Sequence, residues 1–209
     1  MSVDITSVLS SLFWKFLERS SVQLVSFLVA IVLARILSPE DYGMIALVIV
    51  FVNLANVIVE GGLNTALIQK KEADQTDFST IFYASLFLAA FLYCFLYFSA
   101  DAIAVFYNNK ELISVVRVIG LSLFFFAVNS VQKAFLSRRL LFRKLFYSSL
   151  GAVLLSGVVG IVMAYQGAGV WALVAQSMIS QIATTLIMWY TVKWRPTWEF
   201  SSSRFSSLF

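Results

Sequence analysis

The chain has 209 residues, 60% of them hydrophobic and only 12% charged, and its net charge is +4. Composition of that kind excludes a water-soluble domain of this length and points to a bilayer as the main solvent. Histidine is absent and the single cysteine, Cys94, sits in an apolar run, which leaves no disulfide framework, no Cys/His metal site and no expected cofactor.

Six apolar stretches, each near the roughly 20 residues that a helix needs to cross a bilayer, are expected at 12–37, 42–67, 78–99, 112–135, 146–165 and 170–192. The fold class is all-α, a polytopic membrane helix bundle. The amino terminus carries Asp4 and has neither a basic n-region nor a small-residue cleavage pattern, so the first helix is expected to be retained. At about 100° per residue, Lys15, Glu18, Arg19, Gln23 and Ser26 share one side of that helix. The run Ser38-Pro39-Glu40-Asp41 ends it and opens the next, because proline disfavours a helical residue before it and acids suit a helix start.

In the second span Asn53, Asn56, Glu60 and Asn64 fall in one narrow stripe. With the Pro39 turn as the tip of a hairpin, Arg19 and Glu60 sit level at 1.5 Å rise per residue. A buried charge costs about 2.5 to 3.5 kcal/mol on insertion scales, so Glu60 is expected to pair with Arg19 or Lys15. That pair is either structural, or Glu60 also acts in a transport path. Asp74 and Asp77, in the following break, read as solvated charge.

The third span has no polar stripe and is expected to face lipid, with Tyr93 and Tyr97 in the interfacial belt. In the fourth, Ser122, Asn129, Gln132 and Lys133 form a looser polar set with Arg117 at its edge. Arg117 is open to a cavity-facing anion role, whereas Lys15, Arg35 and Lys133 lie near helix ends and are explained by snorkelling. The fifth span carries Ser149, Ala152, Ser156, Gly160 and Ala164 on one face, a small-residue ridge for close helix packing. After the glycine turn at 166–169, the sixth span aligns Ser177, Ser180, Gln181 and Thr184. Spans one, two, four and six are therefore expected to turn polar faces toward a common cavity. Its candidate lining residues are Lys15, Arg19, Asn53, Asn56, Glu60, Asn64, Arg117, Gln132 and Gln181. No single aromatic is assigned to a ligand, and no catalytic residue or metal ligand is expected.

From Pro196 the chain turns polar, with Phe200, Phe205 and Leu208 at near-helical spacing. The expected organisation is a transmembrane lobe over 1–195 and the start of an interfacial amphipathic connector over 196–209. Basic residues concentrate in the even-numbered breaks and the tail, namely Lys70, Lys71, Lys133, Arg138, Arg139, Arg143, Lys144, Lys193, Arg195 and Arg204. Arg35 and Lys110, with Arg117 further inside, are their counterparts on the other side, so both termini are expected in the cytoplasm. The net positive charge is thus a topology signal, and nucleic acid is not an expected partner.

The runs LARILSPEDYG at 33–43 and EGGLNTALIQKK at 60–71 resemble the polysaccharide transporter branch of the flippase superfamily that includes Wzx-type exporters. QKAFLSRRLLFRKL at 132–145, GAGVWALVAQ at 167–176 and KWRPTWEFS at 193–201 fit the same family in the same order. The resemblance implies a bacterial inner-membrane protein built from two six-helix lobes around a central cavity. Such a protein carries undecaprenyl-pyrophosphate-linked oligosaccharide repeat units across the membrane by alternating access. It implies as partners the lipid-linked substrate, membrane lipid, a C-terminal lobe missing from these residues and the polysaccharide polymerase machinery. Basic cavity residues would meet the anionic carrier, for which Lys15, Arg19 and Arg117 are the nominees.

Three other readings stay open. A cation-coupled multidrug antiporter of the same superfamily would use Glu60 as its coupling acid. A membrane enzyme of the pathway is disfavoured by the lack of a loop long enough for a catalytic domain. A non-catalytic scaffold in a biosynthesis complex has no need of the aligned Asn and Glu stripe.

Overall fold

The computed structural model describes residues 5–61, 67, 74–139 and 141–197. Among them the helices run α1 (Ile5–Ile36), α2 (Pro39–Gly61), α3 (Gln75–Phe106), α4 (Glu111–Gly120), α5 (Ser122–Arg138), α6 (Phe142–Tyr165) and α7 (Val170–Thr191), with no strand among the described residues. Among the described residues six stretches are long and apolar enough to cross a membrane, α4 and α5 together forming the fourth, Glu111–Arg138. The all-α polytopic fold expected from the sequence is the one observed.

The α1–α2 turn is closed by reciprocal bonds. Asp41 Oδ2 accepts from the Ser38 backbone N–H at 3.0 Å and from Ser38 Oγ at 2.8 Å, and the Asp41 N–H donates to Ser38 Oγ at 3.2 Å. Pro39 takes the first helical position, where its missing N–H costs nothing. At the α6–α7 turn Gly167 and Gly169 adopt φ of +78° and +57°, which other residues avoid. A Cβ on Gly169 would lie 3.1 Å from Asp41 Oδ1, so the two turns meet at one end of the bundle.

Three expectations need correction. The fourth span is two helices: Leu121 N–H bonds to Val118 O at 3.1 Å and Phe124 N–H to Leu121 O at 3.2 Å, the tighter pattern that marks a break in an α-helix. The break falls at Gly120 and Ser122, residue types at which helices kink, and the Tyr93 ring packs against the glycine, 3.1 Å at Cδ2 from where a Cβ would be. Asp77 is not solvated charge; it is fully buried, and it accepts from the Asp74 N–H at 3.1 Å while donating its own N–H to Asp74 Oδ1 at 3.0 Å. That capping box starts α3. Lastly, α3 continues to Phe106, past the expected end at 99. At ~48 Å it outruns a ~30 Å hydrocarbon core, so Asp101, near its far end, reaches polar surroundings.

α1 lies along α6, while α2 packs on α3, α4, α5 and α7, so the two helices share a turn and then part. α6 and α7 make the most extensive pairing. Of the ridge expected on α6, Ala152, Ser156, Gly160 and Ala164 are buried and Ser149 only partly so; Gly157, not expected there, is buried beside them, and a Cβ on Gly160 would lie 3.0 Å from Gln176 Cβ. One core cluster joins Leu33, Val48, Val52, Ile119 and Val174 near the turns; a second joins Phe78, Ile81, Leu136, Met188 and Trp194 at the other end. On α3, Phe87, Phe91, Phe95 and Phe98 are 63–77% exposed in one stripe, the lipid-facing surface expected of the third span. The tail segment over 192–197 is pinned back on α3: Gln75 Nε2 donates to Arg195 O, and the Thr197 N–H donates to Ser79 Oγ at 2.9 Å. The expected amphipathic connector beyond Thr197 lies outside the described residues.

Candidate functional site

Where α1 and α2 part, a cavity of about 560 Å³ opens between them and the α6–α7 pair. α7 supplies its most polar wall. Leu173, Ser177, Ser180 and Gln181 recur at intervals of four, three and one along the helix, which stacks them on one face, and Gln176 joins them at the edge. α1 gives Ser26, α2 gives Tyr42, Ile45, Ala46 and Ile49, and α6 gives Val153 and Ser156. Ser156 Oγ donates to Val153 O at 3.1 Å, so its hydroxyl proton is spent on its own helix and its lone pairs remain as acceptors. The result is a hydroxyl- and amide-bearing wall opposite an apolar one, within membrane-spanning helices.

The structure brings Ser26, Ser177, Ser180 and Gln181 together as the stripes suggested. It exchanges one wall: the fifth span lines the cavity where the fourth was expected. Ser156 was read as packing alone because small polar residues on a ridge give the same pattern as a wall. Gln176 and Tyr42 were also missed, although Gln176 stands one turn from Ser180 on a stripe already recognised.

The polar set of the fourth span lies inside the bundle. Ser122, Asn129 and Gln132 are buried, and Asn129 Nδ2 approaches Gln181 Oε1 at 3.5 Å across the α5–α7 contact. The Asn129 and Asn56 carbonyl oxygens, both amide atoms of Gln132 and the Ser122 hydroxyl have no protein partner among the described residues. Unpaired buried groups cost about 1–3 kcal/mol each. Asn56 is 8% exposed and Asn53 is exposed. Both continue, at helical spacing, the α2 face that carries Ile45 and Ile49. The Glu60 side chain and the whole of Asn64 lie outside the described residues, so the Glu60 pair with Arg19 or Lys15 does too.

Arg19 and Lys15 are exposed on α1, seven and eleven residues before Ser26 and therefore on the same face. Lys15 Nζ lies 5.5 Å from the centre of the Phe142 ring. Arg117 stands apart from the cavity lining, its Nη2 2.9 Å from Asp101 Oδ2 and its guanidinium 4.3 Å from the Tyr97 ring centre. Among the described residues no group of His, Cys, Asp and Glu is arranged to hold a metal.

A family model described as "Polysaccharide biosynthesis protein" matches residues 32–209. The chain is 26% identical to the succinoglycan biosynthesis transport protein ExoT of Rhizobium meliloti over 99% of its own length and 42% of the relative's. It is 24% identical to the teichuronic acid biosynthesis protein TuaB of Bacillus subtilis over 70% of its length and 31% of the relative's. With the lipopolysaccharide biosynthesis protein WzxC of Escherichia coli the identity is 22%, over 81% of the chain and 35% of the relative. The chain thus spans less than half the length of each of these relatives. No solved structure matches it significantly.

Proposed function

We propose, from the premise that this chain belongs to the polysaccharide biosynthesis protein family and is a multi-pass protein of the bacterial inner membrane, that it forms one six-helix lobe of a two-lobe transporter. Its cargo is an undecaprenyl-pyrophosphate-linked oligosaccharide repeat unit bound for surface polysaccharide, and both of its termini lie in the cytoplasm. The observation that carries this reading is the cavity between α1, α2, α6 and α7, whose α7 wall presents Gln176, Ser177, Ser180 and Gln181 within the span. Hydroxyls and amides exchange hydrogen bonds with sugar hydroxyls in any of several orientations, which suits a cargo made of varied glycans. The Arg19 and Lys15 face of α1 runs on from Ser26 at the cavity and supplies cations for a pyrophosphate. The polyprenyl tail stays in lipid, and rocking of one lobe against the other changes which side of the membrane the cavity faces. The chain's part in this is to bind and to gate, with no covalent step.

The test replaces Ser177 and Gln181 together with leucine and follows surface glycan against the amount of protein in the membrane. Two lost hydrogen bonds of about 1 kcal/mol each lower export by about ten-fold or more at constant protein. Unchanged export removes this cavity from the path, and a gain or loss of resistance to cationic compounds in place of a glycan phenotype moves the assignment to the antiporter class.

A further inference from the structure

The opposite end of the bundle, where α3 and α6 begin and α5 and α7 finish, holds a second hollow of about 510 Å³. Phe135, Arg139, Lys144, Lys193, Trp194 and Arg195 stand around it. None of its four cations is paired with a carboxylate among the described residues. The carboxylates of the nearby capping box, Asp74 and Asp77, each accept from the other residue's backbone N–H.

Two of the cations are held rigidly. Arg195 donates to the carbonyls of Val192 at 2.6 Å, Trp194 at 2.8 Å and Trp189, and lies 4.9 Å from the Trp189 ring centre. Lys144 Nζ donates to Thr191 O at 3.0 Å. Both are anchored to the carbonyl end of α7, where a helix favours positive charge. The other two are available. Arg139 is exposed with its guanidinium 4.3 Å from the Phe135 ring centre, and Lys193 is exposed with no hydrogen-bond partner among the described residues. The fixed cations supply positive charge without losing side-chain freedom on binding, and Arg139 and Lys193 bring the uncommitted donors.

The walls identify the anion. Trp194 packs its ring 5.9 Å from Phe78, 6.1 Å from Phe82 and 6.2 Å from Phe135, a largely buried aromatic cluster at the ends of helices long and apolar enough to cross a membrane, where aromatic residues are enriched. Buried Leu136 and Val192 and the exposed Leu141 give the hollow an apolar side beside its cations. A phosphate that belongs to a lipid arrives at this depth with its tails already in hydrocarbon, and basic hollows between helix ends recognise such headgroups. We propose that this hollow seats the phosphate group of an anionic membrane phospholipid, apart from the transport cavity and whether or not that cavity carries glycan.

The experiment is native mass spectrometry of the full chain in detergent. It is titrated with an equimolar mixture of phosphatidylglycerol and phosphatidylcholine of distinguishable acyl mass, with free inorganic phosphate or pyrophosphate as competitors. The ratio of the two lipid adducts is read in one spectrum, so a general loss of fold or of lipid retention moves both and does not imitate the result. Phosphatidylglycerol is retained preferentially, and Arg139→Ala and Lys193→Ala each reduce its preference about five-fold, the effect of one surface cation. Arg139→Lys and Lys193→Arg preserve most of it, and Lys110→Ala at the far end leaves it unchanged. Equal retention of the two lipids, or a preference that survives the Arg139→Ala/Lys193→Ala double variant, overturns the proposal. Displacement of the lipid by free pyrophosphate at comparable concentration also overturns it, and assigns the hollow to a diphosphate instead.

Discussion

Gly157 of α6 meets Val29 of α1 so closely that a Cβ on the glycine would lie 2.6 Å from Val29 Cγ2. α1 relies on α6 for its packing, and this contact is a point of close approach between them. Gly157→Ala forces Val29 aside and lowers thermal stability in detergent by roughly 1–3 kcal/mol, the usual cost of overpacking. Adding Val29→Ala restores most of the loss, because the smaller side chain vacates the space. A Gly157→Ala variant as stable as the parent with Val29 intact refutes the close approach.

The Ser38–Asp41 pair makes a different prediction, since here each partner satisfies the other. Ser38→Ala and Asp41→Ala each cost about 1 kcal/mol, as loss of a helix cap does. The double variant costs little more than either alone, because the second change removes a partner already idle. Thermal unfolding of the four chains gives the cycle directly. Additive losses mean that the two residues stabilise the turn independently.

How much of this was legible in the sequence follows from the range of each interaction. The number of spans, the turn at Pro39 and the stripe of Ser177, Ser180 and Gln181 are local, set by hydropathy, backbone preference and helical period, and were legible, although α3 runs beyond its expected end and the fourth span is broken. Periodicity names a face without naming its neighbour. The exchange of the fourth span for the fifth, the burial of Gln132 and the parting of α1 from α2 depend on which helices pack together. The packing of Tyr93 on Gly120, beside the break at Leu121, likewise joins residues 27 apart in the chain. Asp77 was misread for a subtler reason: an acid in a short polar break is normally wet, and only its spacing from Asp74 signals a cap.

Arg117 and Asp101 are joined at 2.9 Å, with side chains 32% and 62% exposed. An exposed ion pair contributes between zero and about 1 kcal/mol, and stacking on Tyr97 adds about 0.5–1 kcal/mol. Arg117→Ala is therefore expected to cost more stability than Asp101→Ala, since it loses both contacts, and the coupling between the two shrinks as salt is raised. Glycan export normalised to protein level stays near that of the parent in both variants. A large, selective loss of export in Arg117→Ala places its guanidinium in the transport path in some other state of the lobe.

The sharpest test of the transport reading lies on the face of α1. Arg19 stands ~10 Å and Lys15 ~16 Å from Ser26 along the helix axis, both exposed, so an anion entering the cavity would pass them before reaching the α7 wall. Lys15 has the Phe142 ring beside it and a stem long enough to reach the membrane surface, which makes its charge the less committed of the two. Arg19→Ala is thus expected to reduce export several-fold, Arg19→Lys to keep part of it because charge survives while the bidentate fork is lost, and Lys15→Ala to do less. Arg35→Ala, which removes an exposed cation at the opposite end of the same helix, leaves export unchanged. Reporter fusions at the termini separate these effects from altered insertion, since basic residues also set topology. Equal export from the Arg19→Ala and Arg35→Ala variants, at equal protein level and topology, reduces Arg19 to a surface charge and takes the anion path off α1.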